Sequence, residues 1–259
     1  MMEYFWNEFC DWYVEATKIN FKNGDDREKD RQASVLMNIL EESLRLLHPY
    51  IPFVTEEIYA KLPVKELVAA RKEAGTQKIA SNSDYEGMLI NAPYPEFVKE
   101  REDDNINARF DVLKDLIGKV RALRVECGID PAEKINIAIL VSKGSAAEVC
   151  HEKVEMIQLL AGVKTVDFVE AKPASSIGTV GSDFEAFIIV DESINKEQLL
   201  ARFKKTLEKE QGYARMSENK LNGNFAKHAP ANLVEEEKQR LADSNKKIVT
   251  LESYIKELE

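Results

Sequence analysis

The chain has 259 residues, 44% of them hydrophobic, and a formal net charge of −10. That length admits one large domain or two to three small ones, and the acidity argues against a generally basic nucleic-acid binder. Cys10, Cys127 and Cys150 lie far apart with no CxxC pair, which points away from a disulfide framework or a cysteine zinc module.

A reducing, cytoplasmic setting is the expectation. No run approaches the ~18–20 apolar residues of a membrane span, and no signal-peptide pattern is read at the start. The opening residues fall inside an amphipathic pattern, as though cut from something longer.

The first segment, 4–19, places Phe5, Phe9, Trp12, Tyr13, Ala16 and Ile19 at three- and four-residue spacings. That is one aromatic-rich stripe on a helix, expected at the centre of a bundle. Trp6 falls outside the stripe and calls for a second neighbour. The Phe5/Phe9/Trp12/Tyr13 group could instead stack on bases, but at helical spacing a core role is the stronger reading. Residues 23–26 (NGDD) end the helix, and the mixed charges of 25–31 read as a solvated loop.

A second helix is predicted over 31–48, with Val35, Leu36, Ile39, Leu40, Leu44 and Leu47 inward. The HPYIP run at 48–52 breaks it, and Pro52 opens a short helix. Phe53, Val54, Ile58, Tyr59 and Leu62 form its apolar side, with Glu56 and Glu57 answering the helix dipole. Residues 65–73 could be helical, and Gly75 and 81–83 read as loop. APYP at 92–95 is extended. A long helix follows over 100–126, with Ile106, Phe110, Leu113, Leu116, Ile117, Val120 and Leu123 buried. Gly128 is placed to stop it in a left-handed conformation.

Beyond Pro131 the period changes. Segments 134–141, 165–170 and 186–190 read as strands, 146–160 as a helix and 175–181 as a turn-rich connection. From Asn195 a seven-residue repeat begins, with Leu200, Phe203, Leu207, Ala214 and Leu221 at the seam and Glu210 and Ser217 as polar exceptions. After a tip at 222–229 the repeat resumes on Val234, Leu241, Ile248, Leu251, Ile255 and Leu258, interrupted by Glu237 and Ser244. Two such helices joined by a short tip predict an antiparallel coiled coil.

The fold expected is therefore mainly α: a helical bundle (1–128), a small α/β module (129–194) and an antiparallel coiled-coil hairpin (195–259). No catalytic constellation emerges. His48, His151 and His228 have no nucleophile or carboxylate at a telling spacing, and the glycines form no phosphate loop. ARMSEN at 214–219 superficially suggests a nucleotide signature but sits inside the coiled coil. No metal site is read.

The hairpin is rich in cations. Lys204, Lys205, Lys209, Arg215, Lys220, Lys227 and Arg240 are candidates for a phosphate backbone, where charge matters more than base identity. The plain alternative is an ordinary solvated coiled coil. Phe225 at the tip is expected to be exposed.

EFCDWYVEATK at 8–18, LLHPYIPFVTEEIY at 46–59 and APYP at 92–95 resemble the anticodon-binding helical domain of class I aminoacyl-tRNA synthetases. RALRVECGIDPAEKINI at 121–137 resembles the segment leaving that domain. KLNGNFAKHAPANLVEEEKQRL at 220–241 resembles the coiled coil of the valyl-tRNA synthetase family. The isoleucine enzymes commonly end in a cysteine-rich zinc module, which this sequence lacks.

The resemblance implies a C-terminal fragment whose bundle receives the anticodon loop of tRNA(Val) and whose coiled coil meets the outer corner of the tRNA. The α/β module would join them. The parent would ligate valine using ATP and Mg, through catalytic and editing domains absent from this sequence, so no cofactor and no catalysis are expected here. A helix preceding 8–18 is expected in the family. Anticodon contacts are placed weakly on Arg121, Arg124 and the 71–78 connection, against a reading of plain surface charge. A monomer is expected. The competing classes are a coiled-coil protein-interaction scaffold without RNA binding, and a standalone paralogue with a separate role.

Overall fold

The computed structural model describes residues 3–66, 69, 87–141, 144–191, 194–223 and 229–259. The chain forms two compact units, Met1–Ala108 and Arg109–Glu259.

The first unit opens on a π-helical stretch, Tyr4–Val14, that runs into α1 (Glu15–Asn23). Its wider winding brings residues four apart nearly into register. Phe5, Phe9 and Tyr13 therefore stack as a column, with ring centroids 5.4 and 6.1 Å apart. Among the described residues only Phe9 of this stretch is buried, and Trp6 is 58% exposed. The segment thus lies at an edge of the described unit rather than at its centre, and Trp6 has no second layer over it there.

Helix α2 (Asp26–Leu47) begins earlier than its apolar pattern suggests. Asp25 caps the Glu28 amide at 2.8 Å and Glu28 returns a bond to the Asp25 amide at 3.1 Å. This capping box turns the expected charged loop into a helix start. Its C-terminal half packs on α3 (Pro52–Tyr59), and Leu44, Tyr59 and Leu89 form the core with Leu40, Leu62, Val64 and Ala92. The apolar side predicted for α3 mostly points outward: Phe53 is 89% exposed, while Thr55 and Tyr59 face in. Glu56 accepts bonds from the Leu89 and Ile90 amides at 2.8 and 3.1 Å, so it staples the following chain. Most of the 65–73 and 71–78 predictions lie outside the described residues.

The long helix α4 (Asp104–Cys127) crosses the division between units. Leu116, Ile117 and Val120 are fully buried in the second unit, whereas Ile106 is 62% exposed. Gly128 ends the helix at φ +69°, a left-handed conformation that a side chain would strain.

The α/β module has β1 (Ile135–Val141), α5 (Ser145–Glu152), α6 (Val154–Ala161), β2 (Val163–Phe168), β3 (Ser176–Val180) and β4 (Phe184–Ile189). The strand order is β2-β1-β4-β3, with β1 and β2 parallel and the other pairs antiparallel. Two readings are corrected. The single helix over 146–160 is two, broken at Lys153 (φ −113°, ψ 27°). The turn-rich 175–181 segment contains strand β3, which pairs antiparallel with the next strand, β4, a hairpin that the turn-forming composition conceals.

Helices α7 (Lys196–Asn222) and α8 (Ala231–Leu258) form the antiparallel hairpin.

Candidate nucleic-acid interface

The hairpin is built on a mixed seam. Asn195 caps α7 by accepting from the Gln198 amide at 3.0 Å. Leu199, Phe203, Ala214 and Ser217 are buried on α7, and Glu237, Leu251, Tyr254, Ile255 and Leu258 on α8. The buried register at the foot of α7 thus passes through Leu199 rather than Leu200. Opposite positions confirm the antiparallel sense: Phe203 packs on Tyr254 at 5.5 Å, and Ser217 donates to Glu237 at 2.7 Å.

Three of the four polar exceptions of the repeat have partners. Glu237 takes the Ser217 hydroxyl inside the seam, while Lys220 Nζ and Arg240 Nη1 approach it at 3.4 and 3.6 Å. The Ser217 bond first, and these cations after it, hold the Glu237 carboxyl below its ordinary range. Lys247 lies 3.4 Å from Glu210.

The foot of the hairpin is tied into the second unit. Arg202 donates to the carbonyls of Glu126 and Val125 at 3.1 and 3.2 Å, at the negative end of α4. A Cβ on Gly128 would fall 2.3 Å from the Arg202 guanidinium, a second reason for glycine there. Tyr254 donates to the Gly178 carbonyl at 3.1 Å, and Lys172 pairs with Glu257.

The candidate cations fall into distinct settings. Lys205, Lys209 and Arg215 are exposed with no ion-pair partner among the described residues. Lys204 reaches Glu259 at 2.8 Å, at the surface. Lys220 and Arg240 share Glu237 yet keep side-chain exposures of 49% and 69%. Lys227, Phe225 and His228 lie outside the described residues.

Arg121 and Arg124 do not behave alike. Arg121 is exposed and donates through Nε to the Leu160 carbonyl at 2.7 Å. Arg124 is 5% exposed, not a surface charge. Its guanidinium donates to the carbonyls of Ala161, Gly162, Asp130 and Glu133 at 2.6–2.8 Å, locking α4 to the module. Burial pulls its pKa down, opposed by Glu133 and Asp130. A Cβ on Gly162, at φ +67°, would fall 2.2 Å from Arg124 Nη1.

Sequence reasoning did not find this role, nor the buried pair Arg45–Glu41 at 2.9 Å, because an arginine in a helix reads as surface. The position of Arg124 among the buried Val120, Leu123 and Cys127 was the available signal.

His48 bonds Thr55 Oγ1 at 2.9 Å, and His151 stacks on Phe168. Burial pushes the Cys127 thiol up to about 12 and the Cys150 thiol up to about 11, so both stay protonated. Among the described residues no cluster of His, Cys, Asp and Glu could hold a metal ion. No described helix is long and apolar enough to cross a membrane.

Comparison with known proteins adds the following. Residues 1–139 match the family model "Anticodon-binding domain of tRNA ligase". Residues 195–259 match "Valyl tRNA synthetase tRNA binding arm". A valine–tRNA ligase of Treponema denticola is 48% identical over 257 residues, covering 98% of this chain and 27% of that protein. One from Treponema pallidum is 37% identical over 99% of this chain and 28% of its own length. One from Thermotoga maritima is 33% identical, again over 99% of this chain and 27% of its own length. The chain thus spans little more than a quarter of these relatives.

Proposed function

Because this chain belongs to the family of tRNA-ligase anticodon-binding domains and carries a valyl-tRNA synthetase tRNA-binding arm, we propose that it binds tRNA(Val) at two separate places. The helical bundle takes the anticodon loop, where unstacked bases are open to side chains. The arm takes the outer corner where the D and T loops meet, a folded surface addressed by shape and phosphate. The module that anchors the arm connects the two functions. The role proposed is tRNA selection for a valine–tRNA ligase. Valine activation with ATP and Mg belongs, in this proposal, to the parts of the longer relatives outside this chain.

The observation that carries the reading is the arm itself. A helix of 27 residues rises about 40 Å, so α7 is long enough to reach far from its anchored foot. Along it Lys205 and Lys209 keep their charge free of carboxylates among the described residues. A protein-interaction scaffold would not need them unpaired.

Filter binding of the purified chain to tRNA(Val) and to the same tRNA with a swapped anticodon tests the proposal. Weaker binding of the swapped tRNA, with a steep salt dependence for both, is expected. Equal affinity would remove the anticodon role. Absence of salt-sensitive binding to either tRNA would favour the scaffold.

A further inference from the structure

We propose that tRNA lies against one flank of the arm, the one carrying Arg202, Lys205, Lys209 and Lys220, and not against the opposite flank with Lys204 and Arg215. This rests on the arm being the tRNA-binding element and adds which side of it does the binding.

The seam of α7 runs through Leu199, Phe203, Thr206, Glu210, Ala214, Ser217 and Leu221, all buried or half-buried. Residues one position before each seam residue form one flank, and those one position after form the other. The preceding flank reads Arg202, Lys205, Lys209, Tyr213, Met216 and Lys220 after its first residue, Gln198, without a single carboxylate. The following flank includes Lys204 and Arg215 but also Glu218.

The returning helix keeps the sides apart. Lys204 meets Glu259, so the following flanks share a side. A cavity of about 320 Å³ brings Arg202 of α7 together with Lys247, Thr250 and Tyr254 of α8, so the preceding flanks share the other; Glu126 of α4 lines it too and adds one acid to this side, fewer than its surplus of cations. On that side α8 contributes Arg240 and Lys247 against Glu236, Asp243 and Glu257, and Glu257 is already paired with Lys172. On the following side Lys238 and Lys256 face Glu235, Glu252 and Glu259.

The preceding side is therefore net positive, whereas the following side has as many acids as cations. A polyanion distinguishes these two surfaces even on a chain that is acidic as a whole. Lys247, beside Glu210, keeps a side-chain exposure of 67%. Tyr213 and Met216, 58% and 60% exposed, stand between Lys209 and Lys220. They offer ring and thioether surface to ribose or a base face among the phosphate contacts.

Two double variants with equal charge loss on the same helix separate the flanks: Lys205→Gln/Lys209→Gln and Lys204→Gln/Arg215→Gln. Glutamine keeps helix propensity, and circular dichroism melts confirm that both fold. The first pair should raise the Kd for tRNA roughly tenfold or more and lower the slope of log K against log salt by about two. The second should change the Kd less than about twofold. Lysine acetylation read by mass spectrometry should show tRNA protecting Lys205 and Lys209 but not Lys204. Equal losses from both pairs, or a larger loss from the second, would overturn the flank proposal while leaving the arm as the binding element. Failure of the unmodified chain to bind tRNA in a salt-dependent way would instead overturn the reading on which it rests.

Discussion

In the bundle, Glu41 meets Arg45 at 2.9 Å with both side chains at most 3% exposed, and Arg45 also donates to the Pro93 carbonyl at 2.9 Å. In the arm, Glu237 is also buried, with a side-chain exposure of 6%, but the cations beside it, Lys220 and Arg240, are about half-exposed or more. One pair is sealed; the other is rooted in the seam and open to solvent. The difference separates charge that holds a fold together from charge that remains available to a partner. Arg124 belongs to the first kind and Lys205 and Lys209 to the second, although all are basic residues on long helices.

The sharpest way to break that contrast is to remove a sealed charge. Arg45→Ala leaves the Glu41 carboxyl buried without its guanidinium and should cost about 3–5 kcal/mol in denaturant unfolding of the chain. Arg240→Ala, whose partner keeps Ser217 and Lys220, should cost less than about 1 kcal/mol. Similar costs for both would erase the distinction between sealed and open pairs.

A smaller effect concerns the aromatic column. Phe9→Ala should cost about 3 kcal/mol, because Phe9 is 5% exposed and stacked on both sides, whereas Trp6→Ala should cost less than about 1 kcal/mol at 58% exposure. Equal melting temperatures for the two variants would place the column outside the core.

The smallest effect is one of pH. The folded arm holds Glu237 below the ordinary glutamate range, first through Ser217 and then through Lys220 and Arg240. A depressed carboxyl contributes stability that is present above its unfolded pKa and lost as pH falls through its folded one. Glu237→Gln should therefore narrow its stability gap to the unmodified chain as pH drops below about 4.5, and leave the gap constant from pH 5 to 8. A gap that widens in acid would contradict the assignment.

Much of this organisation is legible in the sequence. The repeat of 195–258 announces a hairpin because each seam residue sits opposite another from the same repeat. Gly128 marks the end of α4 because its left-handed backbone conformation is a local requirement that glycine meets without strain. The rest depends on partners that the local pattern does not show. Strand β3 exists because β4 pairs with it, and Arg124 is buried because carbonyls of α6 and of the loop after α4 converge on it. The outward side of α3 and the π-helical winding of Tyr4–Val14 are likewise not announced by the spacing of their apolar residues. For the candidate interface, the sequence identifies the cations, but only the seam register divides them between flanks.

The central claim is that bundle and arm contact the tRNA independently, and a binding cycle tests it. The unmodified chain and Lys205→Gln/Lys209→Gln are each titrated with tRNA(Val) and with its anticodon-swapped form at one salt concentration. Independent contacts predict that the arm substitution weakens both tRNAs by the same factor, so that the two losses multiply. A substitution that weakens only one of the two tRNAs, or neither, would contradict the account.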